Sequence, residues 1–435
     1  MSEDNVVQQG DVQPPIINLY TSQHGSPIDL SGVWTHLSVY ENMKRNYIEG
    51  EITVTDAQDV LTSLPILLGD RISIEFKTPS ASSSYKFDGR IVQIPTRKQA
   101  VQGAQVYVLR FISNEFVSSQ KIQFSKSYNQ MLISDMIANI FDQYVGGKTK
   151  KKIRIVPTLS STSCVVPMQS PFRAINWLSK WAISPKYRDG MSYVFFENRD
   201  GYYFGPIEAL IDQNENPNPV ATYGRNITVT DMTNIKQAFD TITDFDAKSQ
   251  DHLDNIVSGM YASRVETHDL VTRSIGSSSY NYFDHYDKTA HLGDENAGKL
   301  HNDINLGSFG DSYIHYAPKH HEAYPSQDPT RTSETTLIRK SQFLQYYNNV
   351  VEVTVPGDSD RTIGEVVRLN LLNASPNLEG STENTDKYLS GRYLITALRH
   401  IMTRSAGQNS YMLRMGLSKD SYQTPLPEKL VDPWR

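Results

Sequence analysis

Between residues 28 and 117 apolar side chains recur at every second position. Ile48, Gly50, Ile52 and Val54 alternate with Glu49, Glu51, Thr53 and Thr55, the period of a half-buried strand. Ile72, Ile74 and Phe76 alternate in the same way with Arg71, Ser73, Glu75 and Lys77. Gly69-Asp70 supplies a turn between a short apolar stretch at 60–68 and that strand. Two further strands are expected near 85–94 and 104–112, with a polar loop between them. Five or so short strands with turns at this spacing predict a small antiparallel barrel.

The period then changes. Ile133, Met136, Ile137, Ile140, Phe141 and Tyr144 fall on one stripe, which predicts an amphipathic helix within 127–144. Ser170 as N-cap and Pro171 at the first helical position open a second helix. Its buried face would be Ala174, Ile175, Leu178, Trp181 and Ala182. The text YVFFENRDGYYF (193–204) reads as a hairpin around residues 198–201. Residues 118–219 are therefore expected to form an α+β unit, ending in the Pro-containing stretch 212–219. A strand at 227–231 is expected to return to the first barrel, and a helix is expected near 244–258.

Residues 276–335 are polar and rich in Tyr, His, Asp, Ser and Gly. Such text predicts a long loop or a surface that cannot build its own core. A helix at 335–347 leads into a second barrel-like stretch at 350–420, with Val351, Val353 and Val355 alternating. The expected order is a disordered arm (1–15), a first barrel (16–117, with 220–243 returning) and an α+β unit (118–219). A middle unit (244–349, with the insert 276–335), a second barrel (350–420) and a tail (421–435) follow. The fold class is mixed β and α+β. No short-period repeat is visible, only a similar architecture at each end.

Composition narrows the function. The chain has 435 residues and a formal net charge of -6. That balance argues against a protein that grips phosphate backbones. No apolar run reaches the ~18 residues that span a bilayer, so no membrane-spanning segment is expected. The first 15 residues are acidic and polar, unlike a signal or transit peptide. There is one cysteine, Cys164, which rules out an intrachain disulfide and a Cys-based metal site.

The search for chemistry returns nothing. His285, His291, His301, His315, His320 and His321 crowd one segment with Asp284, Asp287, Asp294 and Glu322. No HExxH or HxH pair gives them a ligand frame, so they are read as solvated or interface histidines. Cys164 lies in SSTSCVVP without a Gly-rich elbow, and no GxSxG, Walker A or GxGxxG sequence occurs. The basic run KTKKKIR (148–154) is short and reads as a solvated loop. The aromatic hairpin at 193–204 reads as packing for the 171–182 helix. No catalytic, cofactor-binding or metal residue is assigned, and no cofactor is expected.

Four segments in order carry a resemblance. They are GEITVTDAQDVLTSLPILLGDRISIEF (50–76), SPFRAINWLSKWAIS (170–184) with SYVFFENRDGYYFGPI (192–207), GMYASRVETHDLVTRS (259–274) with SYNYFDHY (279–286), and TVPGDSDRTIGEVVRLNL (354–371) with SGRYLITALRH (390–400). Together they resemble the baseplate hub proteins of T-even-like contractile-tailed phages, a family related to the base of type VI secretion spike proteins. The resemblance implies a structural, non-enzymatic late protein of the virion tail baseplate, assembled in the host cytoplasm. It implies a homotrimer in which each chain contributes two tail-tube-like barrels. Its partners would be the tail tube protein, the central spike protein and wedge or other baseplate proteins. DNA would pass through a channel without specific binding, and a weakly acidic lining would suit that passage. The competing readings are a carbohydrate-binding receptor module and a tail-borne cell-wall hydrolase.

Overall fold

A computed structural model of the chain describes residues 10, 12–21, 25–57, 66–79, 81–101, 103–159, 161–187, 189–224, 240–248, 251–296, 310–318, 332–371, 385–405 and 407–424. The N-terminal half contains β1 (Ile16–Tyr20), β2 (Ile28–Asp29), β3 (Trp34–Asn42), β4 (Glu49–Asp56), β5 (Arg71–Phe76), β6 (Tyr85–Val101) and β7 (Ala104–Ser113). They pair in the order β2-β1-β5-β6-β7-β4-β3, every pair antiparallel. The alternation read at 48–55 and 71–77 is the alternation of burial on β4 and β5. The polar stretch after residue 94, expected as a loop, is strand. It continues β6 as a ribbon with β7, and its polar text reflects the exposure of both faces. Most of the 60–68 stretch lies outside the described residues.

The chain then builds α1 (Asn114–Gln120), β8 (Phe124–Leu132), α2 (Ile133–Tyr144), β9 (Lys152–Ile155), β10 (Ser161–Gln169), α3 (Pro171–Ser179), β11 (Tyr193–Asn198), β12 (Gly201–Pro206) and α4 (Glu208–Ile211). The amphipathic stripe sits on α2, which starts at Ile133. Residues 127–132 instead extend β8 against β10. Ser170 occupies the N-cap of α3 without a side-chain cap bond; its carbonyl accepts from Ala174 N at 2.9 Å. Phe172, Ala174, Ile175 and Leu178 are buried. The ring of Phe172 lies 5.3 Å from Phe195 and 5.5 Å from Tyr202, so the helix packs on the hairpin as its sequence predicts. Trp181 falls just past the helix and is only half-buried, its ring edge-on to Trp177 at 4.2 Å.

Next come β13 (Thr222–Gly224), β14 (Asp244–Lys248), α5 (His252–Val257), β15 (Ala262–His268), β16 (Ile275–Asn281), α6 (Tyr282–His285), β17 (Glu295–Asn296), β18 (Tyr313–Pro318) and α7 (Thr332–Tyr346). Three expectations change here. Residues 227–231 lie outside the described residues, but the segments flanking them join the C-terminal half, not the first barrel. The expected helix at 244–258 is a strand followed by a two-turn helix. The 276–335 segment does have a core in its described part. β16, β15 and β18 form one sheet, and Tyr280, Tyr282 and Tyr286 are buried with Met260, Tyr261, Val265, Leu337 and Ile338. Tyrosine carries a polar hydroxyl but fills volume as an aromatic.

The chain closes with β19 (Asn349–Pro356), β20 (Val366–Asn370), β21 (Gly391–Ser405), β22 (Gln408–Lys419) and β23 (Ser421–Tyr422). β14, β19, β22 and β21 continue the N-terminal sheet through β21·β3, giving one 13-stranded sheet. Among the described residues no pairing closes either half into a barrel. One apolar core, from Val12 to Leu417, runs beneath both halves. The arm, expected to be disordered, is docked in its described part: Gly10 O accepts from Tyr411 N and Gln13 N donates to Lys77 O, both at 3.0 Å, and Val12 is buried.

The two halves repeat one topology. β4, β5, β6 and β7 pair as β4-β7-β6-β5, and β19, β20, β21 and β22 pair as β19-β22-β21-β20, all antiparallel. β3 lies outside β4 as β14 lies outside β19. β1 lies outside β5 as β13 lies outside β20, although the first pair is antiparallel and the second parallel. Both long hairpins turn through two residues that end in a glycine, Gly103 at φ +88° and Gly407 at φ +83°. That backbone suits a tight turn between twisted strands and is strained for other residues.

Candidate functional site

The seam between the halves is polar at its centre. Glu41 on β3 is 1% exposed. It accepts from Tyr85 OH at 2.8 Å, Thr362 Oγ1 at 2.6 Å and Ile363 N at 3.1 Å. Thus a carboxylate of one half is held by donors from both. His400 Nδ1 lies 2.6 Å from Tyr411 OH, and Phe76 stacks on Tyr85 at 4.8 Å. Burial, then the charge of Glu41, pushes the Tyr85 hydroxyl pKa far up, which keeps it a donor.

A second joint ties the α+β unit to the N-terminal half. Glu197 is fully buried and takes Lys151 Nζ at 2.5 Å, Tyr202 OH at 3.1 Å and Ile48 N at 3.3 Å. Lys151 also reaches Glu115 at 3.1 Å. Burial disfavours the Lys151 charge, but the two carboxylates outweigh it and raise its pKa. Within the α+β unit Glu208 receives Ser192 Oγ on one oxygen, while no donor meets Oε1 among the described residues. Burial pushes the Glu208 carboxyl up to about 7, against the Ser192 hydrogen bond.

The sheet face opposite the apolar core is continuous from β14 to β1 and open to solvent. The ladder registers put Glu49, Glu51, Glu75, Asp88, Asp244, Asp246 and Glu352 on it, with Arg71, Lys86, Arg90, Lys98, Arg110, Lys248, Arg399 and Arg414. Many of these pair across strands: Arg71–Asp88 at 2.5 Å, Lys86–Glu75 at 3.2 Å, Arg414–Glu352 at 2.6 Å and Arg399–Glu51 at 3.8 Å. Tyr40 OH donates to Glu51 at 3.0 Å. The face is a near-balanced mosaic, not the acidic surface suggested by the net charge.

No family model matches the chain. A probable baseplate hub protein, gp334 of Vibrio phage KVP40, is 21% identical over 407 residues, covering 89% of this chain and 90% of that protein. Two solved tail proteins share the fold. One, from Neisseria meningitidis MC58, has a TM-score of 0.55 at 10% identity and covers 94% of this chain and 97% of its own. The 43 kDa tail protein of prophage MuSo2 from Shewanella oneidensis has a TM-score of 0.54 at 8% identity and covers 93% and 98%. The chain is a baseplate hub-like protein.

In this hub-like chain the flagged histidines are dispersed. His285 Nδ1 lies 2.7 Å from Asp189, and His291 Nδ1 lies 2.6 Å from Asp420 with its ring stacked on Tyr286. His315 is on β18; His301, His320 and His321 lie outside the described residues. Among the described residues no group of three or more His, Cys, Asp or Glu side chains could hold a metal ion. Cys164 is half-buried on β10 with Sγ 3.7 Å from Met136 Sδ, and burial raises its pKa. Within the basic run, Lys151 is not a solvated loop residue but the cation of the second joint. The hub-like chain's buried carboxylates Glu41, Glu197 and Glu208 carried no sequence signal, being three among 48 acidic residues.

Proposed function

We propose that this chain is a structural, non-enzymatic hub of a phage tail baseplate, working as a homotrimer that joins a hexameric tail tube to a trimeric central spike. The observation that carries the reading is the repeated strand topology within one chain. Two similar units per chain let three chains offer six near-equivalent surfaces, which is what a hexameric ring requires of a threefold partner. The match over most of the length of the KVP40 protein supports the same role. In this reading each repeat is one tube-like barrel unit, and the remaining units face the spike and other baseplate neighbours. The repeats surround a channel through which DNA passes. The protein would act in the virion tail, after assembly in the host cytoplasm.

The test is the mass and shape of the purified chain, alone and with its spike protein. Light scattering should give three times the 49.2 kDa chain mass, and electron micrographs should show rings with a central hole. A monomer in the presence of the spike, with no rings, would overturn the reading.

A further inference from the structure

The joint between the two halves has unused counterparts at both ends of the sheet. Inside the chain, β21 pairs with β20 up to Leu394. Beyond that point the same edge of β21 receives β3, from Ala397 to Thr403. By the repeat, β6 is the counterpart of β21 and β14 the counterpart of β3. β6 pairs with β5 only up to Arg90, and among the described residues no strand occupies that edge beyond it. Among the described residues β14 is the terminal strand of the sheet, paired with β19 alone.

We propose that β14 of one copy adds antiparallel to residues 96–101 of β6 in a second copy, reproducing between chains the β3·β21 joint made within one. The inference rests on the trimeric reading above and gives it a contact. Strand addition to a free edge is a recurrent mode of association, because main-chain donors and acceptors are already aligned. The register comes from the internal joint. β14 faces β19 from Val350 to Thr354, as the first part of β3 faces β4, so it meets the ribbon on the turn side of Pro95. Pro95 has no N–H and marks where pairing stops. The charges agree: Asp244 and Asp246 are exposed on β14, and Lys98 is exposed on the same outward face of β6. The contact is head-to-tail. It therefore closes only as a ring, and three copies with two repeats each supply six joints.

The test uses the full chain. Asp246→Cys combined in one chain with Lys98→Cys, or with Thr96→Cys, should give a covalent trimer on mild oxidation, seen on a non-reducing gel. Either single substitution should give none, which also controls for Cys164. Lys98→Asp should weaken trimer formation in light scattering, and adding Asp246→Lys should restore it. Wild-type trimers together with no cross-link and no rescue would overturn the pairing and leave the hub reading standing. A wild-type monomer at every concentration, with and without spike protein, would overturn both.

Discussion

The seam and the joint to the α+β unit solve one problem in different ways. Each buries a carboxylate between units of the chain. Glu41 is held by a phenol, a hydroxyl and a backbone amide. Glu197 is held by an ammonium as well as a phenol and an amide. Neutral donors fix direction without adding a second charge that must itself be desolvated. A buried cation adds strong attraction, but each partner then depends on the other. The first joint should tolerate small chemical changes that the second does not. Glu208 is the under-supplied extreme, with one oxygen unmet among the described residues.

The largest effect should follow from breaking the ion pair. Lys151→Ala leaves Glu197 buried without a cation and should cost about 3–5 kcal/mol in urea unfolding. A cost below about 1 kcal/mol would show that the two joints do not differ in kind.

The next test is pH. An unfolded glutamate releases its proton near 4.5, whereas burial holds Glu208 protonated to about 7. Glu365 behaves alike, raised to about 7 by burial against the pull of Arg361. Between these values the native chain binds protons that the unfolded chain has lost. Their contribution is therefore full below pH 4.5 and disappears as pH rises through 7. At roughly 1.4 kcal/mol per pKa unit, Glu208 accounts for about 3 kcal/mol. Urea midpoints at pH 5 and pH 8 should differ in that direction, and Glu208→Gln should flatten the difference. A slope unchanged by that substitution would remove Glu208 from the account.

A smaller change is expected at the seam. Glu41→Gln keeps one acceptor oxygen and should cost about 1–3 kcal/mol for the donor left unmet. A loss as large as that of Lys151→Ala would erase the contrast between the joints. The smallest stability effect belongs to the outward face. Glu51→Gln with Glu352→Gln should change stability by less than about 1 kcal/mol, yet free Arg399 and Arg414. Retention of duplex DNA at low salt should then rise, with a salt slope steeper by about one unit per freed cation. Glu215→Gln, which loosens an exposed pair with Lys186 elsewhere, should do nothing.

Strand alternation on β4, β5 and β19 was legible because one face is buried and the period is two. The α3 start was legible from Ser170-Pro171. The likeness of the two ends was legible as a similar architecture, but the strand order they share was not, because it resides in the pairing and leaves no shared residues to find. The partners of β13 and β14 were hidden for the same reason, since a short strand does not encode which distant edge it meets. The 276–296 core was misread because its volume comes from tyrosines. Buried carboxylates look like any others until the fold shows which donors surround them.

The mosaic on the outward face also bears on friction. Charges of opposite sign a few Å apart cancel at ranges beyond the screening length of about 8–10 Å in physiological salt. A polyanion gliding past at that distance meets a potential with no deep wells to arrest it and no sustained barrier to slow its entry. A uniformly acidic wall would oppose the leading end, and a basic one would hold the trailing end. Paired side chains make the surface smooth in the electrostatic sense, and they do so with residues that also stitch neighbouring strands together.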